Sequence, residues 1–404
     1  MPGSQNTQME REPATGISAV VVGAGIGGLT FAIEAHRKGH NVRVIERSPE
    51  GQYSGEIIMI TTPALHTPKK WPGFMQRARA AAYSPSFELR KFDGTPIETH
   101  APGDAKNPSL SIYRRKLHNL LYTYAKELGI PVAFNTRVVD FFETADMGGV
   151  ALENGSTLTA DLVAAADGDS TATESWSKTT STEKALEVVE GWDPLVTQII
   201  KATPNNQVLD WKLMWRDPQP EWASKGGRIV QLGDAAHPFL PTSFSGGTMA
   251  MEDAYSLAAC LAIGGKRNVP LSTKVHNKLR YVLLSPPSAQ NAAKDETDTR
   301  SFERVSCAQK MGFKNREIFH NTDWSDAAAN TKVMKKMVGD WLTYHDPEAY
   351  AYENYHRCAE HLTKGTWFEN TNMPSGYTYK PWTVKELLGA SERGEMLEDE
   401  GNWL

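Results

Sequence analysis

The glycines between positions 23 and 28 are the residues whose spacing points most directly to a ligand. Gly23, Gly25 and Gly28 follow the pattern GxGxxG. In this pattern one glycine makes a tight turn, the next admits a pyrophosphate to the backbone, and the last lets a helix pack against a strand. Glu46 lies 18 residues beyond Gly28, near the roughly 20 at which a carboxylate binds a ribose. The spacing therefore predicts a cofactor that contains ADP.

The elements around these residues follow the order that such a site requires. Residues 17–22 are rich in β-branched side chains, which predicts a parallel strand buried on both faces. Residues 29–38 have helical composition and precede Gly39, a typical stop, and residues 41–45 predict a second strand that ends at Glu46. A glycine-rich loop without a ligand is the alternative. The unit does not separate FAD from NAD, but Glu46 disfavours NADP because a carboxylate repels the 2′-phosphate.

A second group of polar residues follows another predicted strand at 227–232. This strand leads into Gly-Asp-Ala-Ala-His at 233–237, and a helix is expected to start after Gly246 and Gly247. Asp234 fits a ligand-binding role, although an aspartate here could also cap a helix or close a turn. His237 could serve acid–base catalysis, but a structural role is the favoured interpretation.

Two further segments occur between these motifs. Residues 113–118 read Tyr-Arg-Arg-Lys-Leu-His, and residues 160–168 end in Ala-Asp-Gly. In this order the four segments resemble the flavoprotein monooxygenases related to para-hydroxybenzoate and salicylate hydroxylases. The resemblance covers about residues 17–167 and 227–264, with a weaker match towards 341–346.

This resemblance implies a role for each matching residue. Glu46 would bind the adenosine ribose, Gly55 would lie along FAD by backbone contact, and Arg114 would offer its guanidinium to the pyrophosphate side. Asp234 would hydrogen-bond the ribityl and phosphate region. Gly247 would bring backbone N–H groups towards the pyrimidine edge of the flavin, where reduction places negative charge. For Arg114, the alternative is a solvated helix start beside Arg115.

The resemblance also implies the chemistry. FAD would be reduced by NADPH or NADH, a transient co-substrate, and would react with O2 at its C4a carbon. The resulting hydroperoxide would hydroxylate an aromatic or polyketide-like small molecule. No catalytic side chain can be assigned, and no metal site is expected, since GxSxG, HExxH and clustered metal ligands are not found in the sequence. An FAD oxidase or dehydrogenase, or an inactive flavin-binding relic, remain alternatives.

The expected fold is α/β: a Rossmann-like FAD-binding domain, a truncated and mostly β substrate layer, and a helical C-terminal region. The expected division is 1–15, a flexible N-terminal tail; 16–168, the first FAD-binding segment; 169–226, a shortened substrate-domain remnant; 227–281, the second FAD-binding segment, with the Gly-Asp motif and its helix; 282–302, a polar loop or insertion; and 303–404, the helical C-terminal region.

Two stretches depart from the family pattern. Gly168 and Gly233 are only 65 positions apart, which is shorter than the usual substrate insertion, and Glu174 stands where relatives usually carry a basic residue. Within this stretch, alternation places Trp211, Leu213 and Trp215 on one strand face, which would wall a substrate pocket or, as the more favoured alternative, belong to the core. Prolines and polar residues at 282–302 interrupt helices predicted at 271–281 and 303–319.

Composition limits the classes of partner. The net charge is −5, and Lys and Arg are scattered along the chain, so neither nucleic acid nor an anionic membrane is an expected partner. No stretch approaches the roughly 20 apolar residues that span a bilayer. Three widely spaced cysteines favour a reducing cytoplasm over a disulfide framework. The tryptophans after residue 321 are expected to pack against the core or a second subunit, so a homodimer is possible.

Overall fold

A computed structural model of the chain describes residues 9–52, 57–83, 87–100, 109–168, 178–210, 215–280, 282–283, 301–302, 304–324, 339–376 and 381–395. The strands are β1 Ser18–Val22, β2 Asn41–Ile45, β3 Ile57–Ile60, β4 Phe87–Arg90, β5 Pro96–His100, β6 Leu110–Tyr113, β7 Val132–Ala133, β8 Val138–Glu143, β9 Gly148–Leu152, β10 Thr157–Ala160, β11 Leu162–Ala165, β12 Lys178–Ser181, β13 Gln207–Asp210, β14 Ile229–Gln231, β15 Val282–Leu283 and β16 Ser301–Phe302. The α-helices are α1 Ile26–Arg37, α2 Thr62–Leu65, α3 Phe74–Ala81, α4 Arg114–Glu127, α5 Thr182–Val188, α6 Pro194–Lys201, α7 Gly246–Gly264, α8 Val269–Arg280, α9 Arg304–Asn321, α10 Asp340–Thr343, α11 Pro347–Lys364 and α12 Val384–Glu392.

Five parallel strands form the central sheet in the order β14-β11-β1-β2-β7. Strands β1 and β11 consist almost entirely of buried apolar residues, as expected for a parallel sheet that is covered on both faces. Helices α1, α4 and α7 contribute to the core on one face. The antiparallel sheet β10-β9-β8 packs its apolar residues against the other. The predicted α/β class and Rossmann-like architecture are confirmed.

The first described residues are docked onto the domain. Met9 is buried, and the Arg11 guanidinium donates to the carbonyl oxygens of His36 and His40, at 3.0 Å each. The Thr15 backbone N–H donates to Gly39 O. The prediction of a flexible tail is therefore wrong for residues 9–15, because their anchors lie at the end of α1, a region that tail composition does not reveal.

Helix α7 is buried along most of its length and lies at the centre of the helical layer. It packs against α1, α8 and α11, which explains why it is apolar on nearly every side. Its two charged residues are fully buried and paired. Glu252 accepts from Arg280 at 2.5 Å and from Arg304 at 2.9 Å, and Asp253 accepts from Arg280 at 2.8 Å. These ion pairs join α7 to α8 and α9.

The stretch predicted as a shortened β layer contains helices as well as strands. Within residues 178–210 the structure has the antiparallel pair β12-β13 and the helices α5 and α6. Trp211 and Leu213 lie outside the described residues. Trp215 stacks on Phe313 with ring centroids 5.4 Å apart, so this tryptophan belongs to an aromatic cluster with residues of α9 and the C-terminal region.

The C-terminal region is partly helical and packs on the rest of the domain. The predicted helices at 271–281 and 303–319 correspond to α8 and α9. Trp341 and Trp382 join the aromatic cluster, whereas Trp367 is 56% exposed.

All three cysteines are free and buried. Within the described residues no helix is long and apolar enough to cross a membrane. The proposed division into six segments stays a prediction.

Candidate functional site

A groove of about 700 Å³ runs along the carboxyl ends of the parallel strands. This is the edge where α/β sheets bind ligands, and the volume is typical of small-molecule sites, which range from roughly 300 to 1,000 Å³. The groove crosses the ends of β2, β1, β11 and β14 in turn. Its lining includes six of the sequence-predicted site residues, namely Gly23, Gly25, Glu46, Arg114, Asp234 and Gly247.

The glycine loop between β1 and α1 owes its shape to two close approaches. Gly23 has a φ of +99°, and a Cβ there would lie 2.4 Å from Ala166 O at the end of β11. A Cβ on Gly28 would lie 2.1 Å from Gly23 O. Gly28 does not line the groove, so its function is to bring α1 close to β1. Both positions exclude a side chain for steric reasons.

Helix α1 begins beside the groove at Ile26, directly after Gly25. No side chain caps this end of the helix, and its first turn has no acidic residue. The first N–H groups of a helix have no intrahelical acceptor, and the helix dipole adds partial positive charge. This end of α1 therefore suits the phosphate groups of a nucleotide.

The Glu46 carboxylate stands at the β2 end of the groove. It accepts hydrogen bonds from the backbone N–H of Ala24 and of Ser48, each at 2.8 Å. An ionised carboxylate has about four acceptor positions, so two remain for ribose hydroxyls. The same side chain thus holds the glycine loop and faces the groove.

The start of α4 contributes a guanidinium group. Arg114 is its first residue and lines the groove, whereas Arg115 is exposed and does not line it. Four residues later, His118 is buried, and its Nε2 lies 2.6 Å from Ala24 O. Burial lowers the pKa of His118, which favours the neutral ring. The sequence motif contained His118, but its contact with the glycine loop was not predicted.

Asp234 lies at the β14 end, in the 3-10 turn Gly233–Ala235, and is exposed within the groove. Asp253 of α7 holds this turn in place. Its carboxylate accepts a hydrogen bond from Gly233 N at 3.0 Å and lies 2.5 Å from His237 Nε2. Burial opposes ionisation of Asp253, but His237 and Arg280 outweigh it and hold the pKa of Asp253 well below its usual range. His237 is buried and does not line the groove, which fits the structural role.

The remaining wall at this end is apolar. Gly247 lies in the first turn of α7, where a Cβ would approach Ile60 Cδ1 to 3.0 Å. Side chains of β3 and of the segment between β14 and α7 line the groove here, including Ile58, Met59, Phe239, Leu240 and Phe244. We call this part of the groove the apolar end. A planar ring system would find apolar contacts there.

Several residues that line the groove were not predicted from the sequence to belong to the site. Asp167, in the Ala-Asp-Gly segment after β11, lines the groove, and burial raises its pKa. Arg47 and Arg137 line the β2 end. Gly55 lies outside the described residues, so its expected contact with the cofactor stays a prediction. In the part of the chain that the structure describes, no group of three or more His, Cys, Asp or Glu side chains could hold a metal ion.

Comparison with known proteins identifies the family. The family model of the FAD binding domain matches residues 17–192. FAD-dependent monooxygenase fsr3 of Gibberella fujikuroi is 32% identical over 496 aligned positions, covering 98% of this chain and 91% of that protein. The chain belongs to the FAD-dependent monooxygenases. FAD is its cofactor, and NAD(P)H is the co-substrate typical of the family.

Solved structures share the fold of this monooxygenase. CtdE, in complex with FAD and its substrate 4, has a TM-score of 0.73 and 22% identity, with 86% of this chain and 100% of that chain covered. A salicylate hydroxylase substrate complex has a TM-score of 0.62 and 18% identity, with 85% and 98% covered. The alignment with the fungal relative has 496 positions and this chain has 404 residues, so at least 92 positions have no counterpart here.

Proposed function

We propose that this chain binds FAD along the groove and hydroxylates an electron-rich aromatic or polyketide-like small molecule with NAD(P)H and O2. One observation carries the proposal. A single groove is lined by Glu46 and Arg114 together with Asp234 and Gly247. A dinucleotide needs polar contacts at its ribose and phosphates together with a separate place for its ring system, and this groove offers both.

The polar half of the groove suits the ADP part of the cofactor. Glu46 retains acceptor positions for the adenosine ribose, and the start of α1 presents backbone N–H groups to the pyrophosphate. Arg114 would add charge-assisted hydrogen bonds to the same phosphates. Among the described residues no carboxylate forms an ion pair with Arg114, so the guanidinium is available for this contact.

The apolar end suits the isoalloxazine ring. Gly247 lies in the first turn of α7, whose N–H groups favour negative charge on the pyrimidine edge of the reduced ring. When bound, FAD supplies the redox chemistry with O2, and the protein supplies placement and electrostatics. The apolar side chains exclude water from this end. No catalytic side chain is assigned, because this division of labour requires none.

The decisive experiment is spectroscopic. The purified full-length chain is expected to show oxidised flavin absorbance, which NADPH should bleach when O2 is excluded. Under air, a panel of phenols is searched with NADPH for a product one oxygen heavier. Protein that binds no FAD, even when FAD is added, would overturn the proposal. Peroxide release without an oxygenated product would instead favour an oxidase.

An inactive flavin-binding relic is the second candidate. The 92 or more positions without a counterpart favour it, since a chain that lacks a portion of its substrate region would keep the cofactor site alone. The two candidates differ in turnover. Thermal stabilisation by FAD without NADPH-dependent product on any phenol would support the relic.

We further propose a cytoplasmic location and a possible homodimer. Three buried free cysteines are compatible with a reducing compartment. The mass of the purified protein, measured by light scattering during gel filtration, tests the dimer, and fluorescence microscopy of a tagged chain tests the location.

A further inference from the structure

Phe244, at the apolar end, has a backbone conformation that phenylalanine rarely adopts. Among the residues that the structure describes, those other than glycine with positive φ are three asparagines and Phe244, whose φ is 52° and ψ 14°. Asparagine tolerates the left-handed region, whereas a bulky residue there is an outlier that points to strain. The surrounding structure must therefore hold Phe244 in place.

Helix α9 holds the segment just before Phe244. The Thr242 hydroxyl donates to Gly312 O at 2.7 Å, and the Asn315 amide donates to Thr242 O at 3.1 Å. Gly312 lies so close that a Cβ there would stand 2.8 Å from Ser243 Cβ. A glycine in the middle of a helix costs stability, so this close approach gives Gly312 a reason to be there.

Helix α7 holds the segment just after Phe244. The Ser245 hydroxyl donates to Ser243 O at 2.8 Å, and Met249 N, in the first turns of α7, donates to Ser245 O at 2.8 Å. Ser243 and Ser245 are both buried. With both neighbours fixed, the backbone at Phe244 cannot relax without breaking one of these contacts.

Phe244 is not one of the buried core residues. Phe244 is only partly buried, lines the groove, and lies two residues before the first of the two glycines that start α7. We infer that Phe244 is a cofactor-contacting residue, held by α7 and α9 in a strained conformation so that its ring closes the apolar end and shields the isoalloxazine of FAD from water. The inference rests on the proposed FAD-binding function and assigns a specific residue to it.

The test separates strain from shielding with a pair of variants at each of two positions. Phe244→Gly relieves the left-handed backbone, and Phe244→Ala retains it, while both remove the ring. Phe239→Gly and Phe239→Ala are the matched controls, because Phe239 also lines the apolar end but is not among the positive-φ residues. Thermal unfolding without FAD, FAD affinity, and iodide quenching of bound flavin fluorescence are measured on the full-length chain.

The expected results differ between the two positions. Without FAD, Phe244→Gly should unfold at a higher temperature than Phe244→Ala, because glycine accepts positive φ without strain, whereas the order should reverse at Phe239. Both Phe244 variants should bind FAD about tenfold more weakly, which corresponds to a loss of about 1.4 kcal/mol in binding free energy. Iodide should quench their bound flavin severalfold more strongly than that of the unsubstituted chain.

Failure of this inference can be told apart from failure of the proposed function. If the unsubstituted chain binds no FAD, the proposed function falls. If it binds FAD, but both Phe244 variants retain its affinity and its protection from iodide, only the shielding role is overturned. If Phe244→Gly is less stable than Phe244→Ala, the proposal that the backbone at Phe244 is strained is overturned.

Discussion

Two neighbouring arginines at the start of α4 differ in their surroundings. Arg114 lines the groove, and Arg115 is exposed outside it. The sequence motif suggested Arg114 as the pyrophosphate ligand but left open a solvated pair. The direction of the side chains at the first turn of α4 is what separates the two.

Replacement of Arg114 by alanine should weaken FAD binding by roughly one to two powers of ten, because hydrogen bonds to charged groups contribute about 1.5–3 kcal/mol. Fluorescence titration of the cofactor-free protein measures this change. Arg115→Ala is the matched control and should leave the affinity almost unchanged. Equal losses in both variants would mean that only the general positive charge of this helix end matters.

At the scale of elements, the close approach of α1 to β1 depends on one glycine. A Cβ on Gly28 would lie 2.1 Å from Gly23 O and 3.2 Å from Val21 Cγ1, whereas one on Gly27 would meet nothing nearer than Ala250 Cβ at 3.4 Å. Both glycines belong to the same helix and to the same motif. They therefore form a natural pair for comparison.

Gly28→Ala should lower the free energy of unfolding by about 1–3 kcal/mol or more, because α1 must move away from β1 to accept the methyl group. Gly27→Ala should be close to neutral, since the added contact is only slightly tight and alanine favours the helix by up to roughly 1 kcal/mol. Urea unfolding without FAD measures both. A Gly28→Ala protein as stable as Gly27→Ala would contradict the tight packing.

A second feature of this scale is the charged connection between α7 and α9. The Arg304 guanidinium is fully buried, donates to both oxygens of Glu252 at 2.9 Å, and also donates to the carbonyl oxygens of Trp341 and Leu342. This one side chain therefore joins α7 and α9 to the C-terminal region. Its partners come from separate stretches of the sequence.

Arg304→Met should destabilise the protein by about 3–5 kcal/mol, because it leaves some of the buried Glu252 charge uncompensated. The control on the same helix is Arg316→Met, whose partly exposed pair with Glu317 should contribute at most about 1 kcal/mol. Denaturant unfolding of the two variants gives the comparison. Similar small losses would show that Arg280 alone compensates Glu252.

At the scale of the whole molecule, buried histidines make stability depend on pH. Burial lowers the pKa of His40 to about 4 and that of His276 to about 3, against an ordinary value near 6.5. Below pH 6.5 the unfolded chain takes up protons at these positions and the folded chain does not. The stability that these two neutral histidines contribute is therefore fully present above pH 6.5. It is lost as the pH falls towards their pKa values in the folded chain.

When the pH falls from 7 to 5, protonation of each of these two histidines in the unfolded chain should lower the folding stability by on the order of 2 kcal/mol. The unfolding midpoint in urea should fall over this range, and His276→Gln should flatten the fall. Glu34 acts in the opposite direction, because burial raises its pKa. A midpoint that stays constant from pH 7 to pH 5 would contradict protonation of buried histidines on unfolding.

Residue patterns were enough to predict the strand–glycine–helix unit, the acid after β2, the order of the four motifs and the α/β class. Such features are local: a strand, its loop and the following helix are contiguous in the chain, so spacing and composition specify them. The prediction of a mostly β stretch at 169–226 was less successful, since the described portion also contains α5 and α6.

Residues that are distant in the sequence complete the site, and their contacts are visible only in the folded chain. Asp253 reaches back to Gly233, His118 to Ala24 and Asn315 to Thr242. The folded chain also shows that residues 9–15 are docked and that α9 supports the apolar end. These contacts join residues tens of positions apart, and no local period or propensity records such a pairing. They form only when packing of the helices on the sheet brings separate segments together.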